Sequence, residues 1–265
     1  MIPTVCFVGL GNIGSALYES HVELNDDGVL NFLKLTCDIK EYKSGKWKKI
    51  LENQIQAIFL CLPANNTEDQ TQDMSIYNQY FDQLIYNSYQ GLVFICSTIL
   101  PLSIKEEYRE NLKLVMFPQF VNERQAINEF KDSKYFILGS DDIKVASMAR
   151  RYILKNFNFN DEPKIDLTSI ELASYFKYLR NFKMAWNVTF WNYVFDFSLA
   201  FGFDYRIIKE MMSEIPVNDC DNICSDGYYG FGGTCLPKDL RALDNYFEHD
   251  ITQAIQKYNL KIRND

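Results

Sequence analysis

The chain has 265 residues, of which 47% are hydrophobic and 23% are charged, a balance typical of a folded protein rather than a disordered one. Its formal net charge of −8 argues against a nucleic-acid-binding protein, which needs a basic surface. The first residues lack the charged and apolar pattern of a secretory signal, so we predict none.

Short apolar runs alternate with helix-length segments through the first part of the chain. The runs lie at residues 4–8, 33–37, 57–62, 92–96, 114–117 and 135–138. Apolar runs of this length, separated by helices, indicate a parallel sheet that is covered on both faces. We therefore predict an α/β fold in which residues 1–168 form a Rossmann-type domain.

The pattern becomes helical from residue 169 onward, and we predict an all-helical second domain over residues 169–265. Residues 169–208 indicate a long central helix followed by a second, with Gly202 between them. Further helices are predicted at residues 237–247 and 251–261.

The stretch 184–203 is apolar enough to suggest a membrane span, but polar residues interrupt it. We predict instead a buried, aromatic-rich helix and no membrane contact. Two buried faces on this helix would explain its aromatic residues, so we predict a homodimer that pairs the helix with its copy. The aromatic residues concerned are Trp186, Phe190, Trp191 and Phe197.

Seven cysteines are present, and four of them lie in or at the ends of apolar runs, where cysteine behaves as a small hydrophobic residue. This usage favours a reducing cytoplasm over a disulfide framework. Cys220 and Cys224 could bind a metal, but the chain has only two histidines, His21 and His249, and lacks zinc-ligand spacing. We therefore predict no metal.

A glycine-rich turn follows the first predicted strand directly. Gly9 permits a tight turn, Gly11 lets backbone approach a pyrophosphate, and Gly14 allows close packing of helix on strand. Asn12 and Ile13 lie at the helix start, whose free N–H groups favour phosphate. Asp38 follows the second strand and can accept hydrogen bonds from ribose hydroxyls, so NAD is predicted in preference to NADP.

A second glycine-rich segment spans residues 230–239 and reads Gly-Phe-Gly-Gly-Thr-Cys-Leu-Pro-Lys-Asp. Its glycines allow backbone to approach a ligand closely. Pro237 suits the first turn of a helix, so Cys235 is predicted at a helix N-terminus, where the dipole favours thiolate. The alternative is a buried cysteine beside a helix start.

This decapeptide resembles the GFGG-x-C-x-P-K-D loop of the UDP-glucose/GDP-mannose dehydrogenase family. Residues 61–63 with 73–75, 97–101 and 118–123 resemble other segments of the family, so the resemblance covers nearly the whole chain. Lys177 and Asn181, four residues apart on one helix face, fall at the family's spacing. Read without the resemblance, they are an exposed polar stripe.

The resemblance implies a set of site residues. Catalytic roles fall to Cys235, Lys177, Asn181, Asp239, Thr98, Glu123 and Gln119. Cofactor contacts, beyond the glycine turn and Asp38, fall to Leu62, Pro63, Ser97, Thr98 and Lys238. Contacts to a nucleotide-sugar substrate fall to Phe120, Val121, Asn122, Glu123, Lys177, Asn181, Tyr229, Gly230, Phe231, Gly232 and Gly233.

The implied reaction oxidises a primary alcohol twice with NAD. The first oxidation gives an aldehyde, which the Cys235 thiolate captures as a thiohemiacetal; the second gives a thioester, and water releases a carboxylate. Lys177 and Asn181 would stabilise developing oxyanions. Thr98 and Asp239 would position a water, and Lys238 would orient neighbouring groups or a phosphate.

Three departures from the family bear on how a substrate would be bound and released. A third, nucleotide-binding domain is expected to be absent, so a separate chain could supply that surface. Residues 218–229 lack the family's arginine, and Gln119 replaces a glutamate that assists hydrolysis. We expect slowed thioester hydrolysis, with the alternative that Gln119 keeps a hydrogen bond and Asp239 is the base.

Two other functions remain open on the sequence. A short β-hydroxyacid dehydrogenase shares the two-domain plan, but its chemistry needs no nucleophilic thiol such as Cys235. A catalytically impaired NAD- or nucleotide-sugar-binding subunit would fit the expected loss of a domain.

Overall fold

The computed structural model describes residues 4–22, 33–37, 54–65, 67–68, 71–122, 124–214, 229–232 and 235–264. The chain divides into two compact units, residues 1–182 and residues 183–265. The division falls inside one long helix, so that helix contributes residues to both units.

The first unit contains a seven-stranded sheet. In chain order its strands are β1 (Thr4–Val8), β2 (Leu33–Cys37), β3 (Ile55–Leu60), β4 (Leu92–Ile95), β5 (Lys113–Met116), β6 (Tyr135–Gly139) and β7 (Lys164–Thr168). Across the sheet the order is β2-β1-β3-β4-β5-β6-β7. The predicted α/β class with a Rossmann-type sheet is therefore confirmed.

The described helices of this unit lie between the strands. They are α1 (Asn12–Ser20), α2 (Ser75–Tyr86), α3 (Glu106–Asn111), α4 (Ala126–Lys131) and α5 (Ile143–Asn156), and the long helix α6 (Ile170–Phe201) begins here. The second unit holds the rest of α6 together with α7 (Tyr205–Glu214), α8 (Cys235–Tyr246) and α9 (Asp250–Asn264).

Both faces of the sheet are buried, as the unbroken apolar runs predicted. In β4, Val93 and Ile95 belong to one core cluster, whereas Leu92 and Phe94 belong to the other. The first cluster is covered by α2, α3 and the start of α6, and the second by α1, α4 and α5. Alternate side chains of each central strand therefore enter opposite cores, because successive residues of a strand point to opposite faces.

The central strands end in one row. Val8 pairs with Leu60, Leu60 with Ile95, and Ile95 with Met116, and Val8 also pairs with Cys37 of β2. These strands are mutually parallel, so the loops that follow them all leave from the same edge of the sheet. This edge is where the predicted site residues of the first unit begin.

Two features of the sheet differ from the prediction. β6 is antiparallel to β5, which it joins through Met116 and Gly139, and β7 was not predicted at all. A hydrophobic pattern reports which faces of a strand are buried and not the direction of the chain, so it could not reveal the reversal. β7 was missed because it has only two apolar residues, Ile165 and Leu167, too few to form an apolar run.

The end of α6 has the local structure that Gly202 predicts. Gly202 has φ of +70°, and the N–H of Phe203 donates to the carbonyl of Ser198 at 2.9 Å, as in a Schellman motif. Just before this turn, Phe197 and Phe201 of α6 pack against Phe247, with ring centroids 5.6 and 5.8 Å away. An aromatic cluster therefore joins the end of α6 to the segment after α8.

The prediction that the aromatic residues of α6 are buried is wrong within a single chain. Trp186 is 47% exposed and Phe190 is 39% exposed, while Phe197 is covered by the cluster just described. The physical reason is that sequence periodicity reports an apolar face and not whether the same chain covers it. Within the described ranges, no helix has both the length and the apolar character required to cross a membrane.

His21 is a neutral histidine buried at the end of α1. Its Nδ1 donates to the carbonyl of Val22 at 2.9 Å, so its Nε2 accepts from the hydroxyl of Tyr152, also at 2.9 Å. Its ring lies edge-on to Phe7 and Phe157. Burial lowers the pKa of His21 to about 4, because the charged imidazolium would lose its hydration.

We predict that His21 makes the fold acid-sensitive. A histidine whose pKa is lowered by folding stabilises the protein above its unfolded pKa of 6.5 and loses that contribution as the pH falls toward 4, by up to about 3 kcal/mol. Urea unfolding at pH 7 and at about pH 4.5 should show a smaller acid-induced loss in His21→Gln than in the wild type. His249→Gln is the matched control and should keep the wild-type loss; equal losses in all three proteins would contradict this assignment.

Candidate active site

Two glycines of the turn after β1 are required by packing. Gly9 has φ of +84°, and a Cβ on it would lie 2.6 Å from the carbonyl oxygen of Cys61. A Cβ on Gly14 would lie 1.9 Å from the carbonyl oxygen of Gly9. Helix α1 can therefore approach β1 only with glycine at both positions, as the sequence predicted.

Gly11 is different, because a Cβ at this position would meet no protein atom within 4 Å. Packing within the chain therefore does not require glycine here. Gly11 is the N-cap of α1 without a capping side chain, and the first turn of α1 holds no acidic residue. The N–H groups of that turn, which belong to Asn12, Ile13 and Gly14, are thus available to an anion that approaches over Gly11.

The loops after β3 and β4 are joined by hydrogen bonds. Ser97 donates through Oγ to the carbonyl of Leu62 at 2.5 Å, and the buried Tyr77 hydroxyl donates to the same oxygen at 3.3 Å. The Leu62 side chain is in the core, whereas Pro63 is exposed. Leu62 can therefore meet a ligand only through its backbone, and Pro63 can do so through its ring.

Gln72 extends this network and was missed by sequence reasoning. Its amide nitrogen donates to the carbonyl of Thr98 at 3.0 Å and to the Tyr178 hydroxyl at 3.2 Å, while its amide oxygen accepts from the N–H of Leu100 at 2.7 Å. The half-buried Thr98 is thereby fixed relative to α6. A lone glutamine in a loop gives no sequence signal for such a role.

The segment after β5 turns inward at Gln119, which is only 3% exposed. Its side-chain Nε2 donates to the carbonyl of Phe117 at 2.9 Å, and its Oε1 is buried without a partner among the described residues. The orientation of the amide is therefore fixed by a donor, a role that an ionised carboxylate could not fill. The next residues, Phe120 and Val121, are half-buried, and Asn122 is exposed.

Lys177 connects α6 to this segment. Its ammonium donates to the backbone carbonyl of Gln119 at 2.7 Å and lies 5.4 Å from the centre of the Phe120 ring. Burial lowers the pKa of Lys177, and the positive charge of Arg180 lowers it further. The Arg180 guanidinium lies 5.3 Å from the centre of the same Phe120 ring.

Two cations therefore share one aromatic ring at the edge where the strands end. Arg180 was not among the predicted site residues, because a single arginine on a helix is read as solvated. Asn181 lies on the same helix, four residues after Lys177, and its side chain is exposed. This part of the first unit can stabilise negative charge on a ligand oxygen.

The second unit holds the cysteine loop. Cys235 is the first residue of α8 and is an exposed thiol, so its predicted place at a helix start is confirmed and the buried alternative is wrong. One turn later Lys238 and Asp239 form an exposed ion pair of 2.9 Å. Tyr229 is exposed, and residues 230–232 are half-buried.

Three predicted site residues, Asp38, Glu123 and Gly233, lie outside the described residues. Cys220 and Cys224, weighed as metal ligands, also lie outside them. Within the described ranges, no group of three or more His, Cys, Asp or Glu side chains could hold a metal ion.

Comparison with known proteins identifies relatives of both units. Residues 171–262 match the model of the central domain of the UDP-glucose/GDP-mannose dehydrogenase family. A GDP-mannose 6-dehydrogenase of Pseudomonas putida is 27% identical over 163 residues, which are 57% of this chain and 36% of that protein. A UDP-glucose 6-dehydrogenase of Pseudomonas aeruginosa is 22% identical over 224 residues, which are 78% of this chain and 49% of that protein.

The fold has solved counterparts as well. The structure of a ternary complex of GDP-mannose dehydrogenase from Pseudomonas aeruginosa matches with a TM-score of 0.75 at 18% identity, covering 99% of this chain and 69% of that one. The chain spans about a third to a half of the length of the two curated relatives. The resemblance is thereby confirmed: residues 171–262 match the central domain of the UDP-glucose/GDP-mannose dehydrogenase family, and the chain is similar to proteins that carry those names.

Proposed function

We propose that this protein is an NAD-dependent nucleotide-sugar 6-dehydrogenase, which oxidises the primary alcohol of a UDP-hexose-type substrate to the uronic acid. The observation that carries this function is Cys235, an exposed thiol at the start of α8 within the region that matches the family model. A simple hydroxyacid dehydrogenase would have no use for that thiol. A cytoplasmic location, inferred from cysteine usage, is part of the same proposal.

The residues of the glycine turn fit a dinucleotide. The open space over Gly11 and the uncapped start of α1 suit a pyrophosphate, which NAD would place there. When bound, NAD accepts the hydride in each of the two oxidations. Asp38 would select NAD over NADP, because its carboxylate repels a 2′-phosphate. Ser97 and Thr98 follow β4 at the same edge of the sheet and would contact the cofactor or a water.

The proposed reaction converts the alcohol to the carboxylate through an intermediate bound to Cys235. In the first oxidation the alcohol carbon loses a hydride and its hydroxyl loses a proton, leaving an aldehyde. The Cys235 thiolate adds to the aldehyde carbon, and the resulting oxyanion takes a proton to become a thiohemiacetal. Loss of a second hydride from this carbon and of the proton from its hydroxyl gives the thioester. Water then adds to the thioester carbon, and the carbon–sulfur bond breaks to release the carboxylate and the thiol.

Lys177 would stabilise oxygen-centred negative charge in these steps. Its contact with the Gln119 carbonyl fixes the position of its ammonium, and its partial burial strengthens the attraction to a developing oxyanion. Asn181 would donate to the same oxygen, and Asp239 would position a water. The substrate contacts proposed at Phe120, Val121, Asn122, Glu123 and the loop from Tyr229 complete the assignment.

The first prediction for this function separates the two kinds of glycine in the turn. Gly11→Ala should weaken NAD binding on the order of tenfold, because the methyl group would fill the space proposed for the pyrophosphate. Its effect on stability should stay within about 0.5 kcal/mol, since the methyl group meets no protein atom. Gly14→Ala is the matched variant and should lose about 1–3 kcal/mol of stability through its collision with Gly9.

Calorimetric titration with NAD and NADP and urea unfolding measure the two effects. Unchanged NAD affinity in Gly11→Ala would contradict the assigned pyrophosphate site. Tighter binding of NADP than of NAD by the wild type would contradict the role of Asp38.

A second prediction concerns the last step. Gln119 cannot accept a proton from water, and general-base assistance is worth about 10²- to 10⁴-fold, so we expect thioester hydrolysis to be the slowest step. Rapid-quench kinetics with an active nucleotide sugar should then show a burst of two NADH per active site. Intact-protein mass spectrometry should find an adduct on Cys235, and Cys235→Ser should abolish the adduct and acid formation without changing NAD affinity.

Gln119→Glu is the informative variant in this experiment. Burial and the nearby Phe117 carbonyl oxygen should raise the pKa of the new carboxyl above that of a solvated glutamate. A raised pKa makes it a better base near neutral pH, so steady-state turnover should rise about tenfold or more and the burst should shrink. If there is no NADH burst, no adduct on Cys235 and no gain in turnover from Gln119→Glu, the general base lies elsewhere, for instance at Asp239. If no nucleotide sugar is turned over at all, a binding subunit is favoured.

We also propose that the second unit forms a homodimer through α6 and α7. On α7 no described side chain is buried, and Ile207 and Met211 are 56% and 62% exposed. On α6, Val188 is 62% exposed and Trp186 is 47% exposed. Apolar side chains exposed on neighbouring helices are typical of a surface that a second copy covers.

Val188→Glu should therefore weaken self-association by at least about tenfold, because a charge would be buried in the interface. Sedimentation velocity at micromolar concentration measures the effect. Lys155→Glu adds negative charge at an exposed position on α5 in the first unit, so it serves as the control and should leave self-association unchanged. A wild-type protein that is monomeric at these concentrations would refute the dimer.

A further inference from the structure

The loop before Cys235 is attached to α9 by one buried side chain. Asn259, which is 7% exposed, accepts at its Oδ1 from the N–H of Phe231 at 2.8 Å and donates from its Nδ2 to the carbonyl of Phe231 at 2.9 Å. A single amide thus satisfies both backbone groups of one loop residue, much as a neighbouring strand would. Both bonds have ordinary lengths, so the contact restrains the loop in position and in rotation.

Gly230 is shaped to this contact. Its φ is +79°, and a Cβ on it would lie 2.4 Å from Oδ1 of Asn259 and 3.0 Å from Cδ1 of Ile262. The glycine is therefore needed for two reasons, the left-handed backbone and the close approach of α9. This requirement is separate from any approach of a ligand to the loop.

The chain after Cys235 is attached to the same helix. The Asp244 carboxylate, on α8, accepts from the Thr252 hydroxyl at 2.7 Å and from Nε2 of Gln256 at 3.0 Å. Thr252, Gln256 and Asn259 are spaced four and three residues apart, so they form one polar stripe on α9. Cys235 therefore lies between two residues that both bond to α9, namely Phe231 before it and Asp244 after it.

We infer that Asn259 is a positioning residue for the Cys235 nucleophile, acting through the backbone of Phe231. This role rests on the proposed function, because it gives Cys235 the part of the attacking thiolate. Loop entropy explains why such an anchor is needed, since glycines at 230, 232 and 233 would otherwise leave the chain before Cys235 many conformations. Misplacement of a reacting group by about 1 Å can cost about 10²-fold in rate.

Asn259→Leu and Asn259→Asp test the inference. Leucine removes both hydrogen bonds at similar volume, whereas an ionised aspartate keeps the acceptor for the Phe231 N–H and loses the donor to its carbonyl. We expect amide exchange at Phe231, measured by NMR, to accelerate about 10- to 100-fold in Asn259→Leu and less in Asn259→Asp. Asn245→Asp makes the same amide-to-carboxylate change at an exposed position on α8, and it should leave the exchange at Phe231 unchanged.

The catalytic measurement distinguishes positioning from general stability. With an active nucleotide sugar, kcat should fall about 10- to 100-fold in Asn259→Leu, while NAD affinity stays at the wild-type value. Gly230→Ala disturbs the same contact, so its effect on kcat should not add to that of Asn259→Leu. A variant whose second unit unfolds would lose helix content in circular dichroism, which Asn259→Leu should keep, and Asn259→Asp provides the milder comparison.

Two results would overturn the inference: exchange at Phe231 that does not change in Asn259→Leu, or additive effects of the Gly230 and Asn259 substitutions on kcat. If the wild type turns over no nucleotide sugar, the proposed function fails. The exchange measurement still decides in that case whether Asn259 restrains the loop.

Discussion

The common edge of the parallel strands is the constraint on which the first unit depends. Cys37, Val8, Leu60, Ile95 and Met116 end in one row, and the ladder continues one residue further where the N–H groups of Cys61, Cys96 and Phe117 donate to Val8, Leu60 and Ile95 at 2.8–2.9 Å. Every following loop therefore starts from a fixed backbone position. The glycine turn, the Ser97–Thr98 segment and Gln119 meet at this edge for that reason alone.

Charge at this edge opposes the charge of the chain as a whole. The protein has a formal net charge of −8, yet Lys177 and Arg180 lie together over Phe120, and Lys177 is partly desolvated. Burial and the neighbouring charge of Arg180 both lower the pKa of Lys177. An oxyanion formed in the proposed reaction would be attracted to this pair of cations.

The second unit holds the segment before Cys235 by side-chain hydrogen bonds from α9. That segment is rich in glycine, and Asn259 of α9 bonds to both backbone groups of Phe231 within it. The first unit fixes its loops through a backbone ladder, whereas the second fixes its loop through Asn259 and the partners of Asp244. Substitutions in α9 should therefore affect Cys235 without touching it.

The sequence alone determined the local features of this protein. Short apolar runs predicted the strands β1 and β2 to the residue, although Lys34 and Thr36 interrupt the run of β2. Gly202 predicted the end of α6, and the glycine and proline pattern predicted a helix that starts at Cys235, because each depends on neighbouring residues only. Tertiary structure decided the reversed direction of β6, the exposure of Trp186, the bond between Lys177 and the Gln119 carbonyl, and the amide contacts of Gln72 and Asn259. These features join residues distant in sequence, and a side-chain amide leaves no periodic pattern that would reveal its partner before the chain has folded.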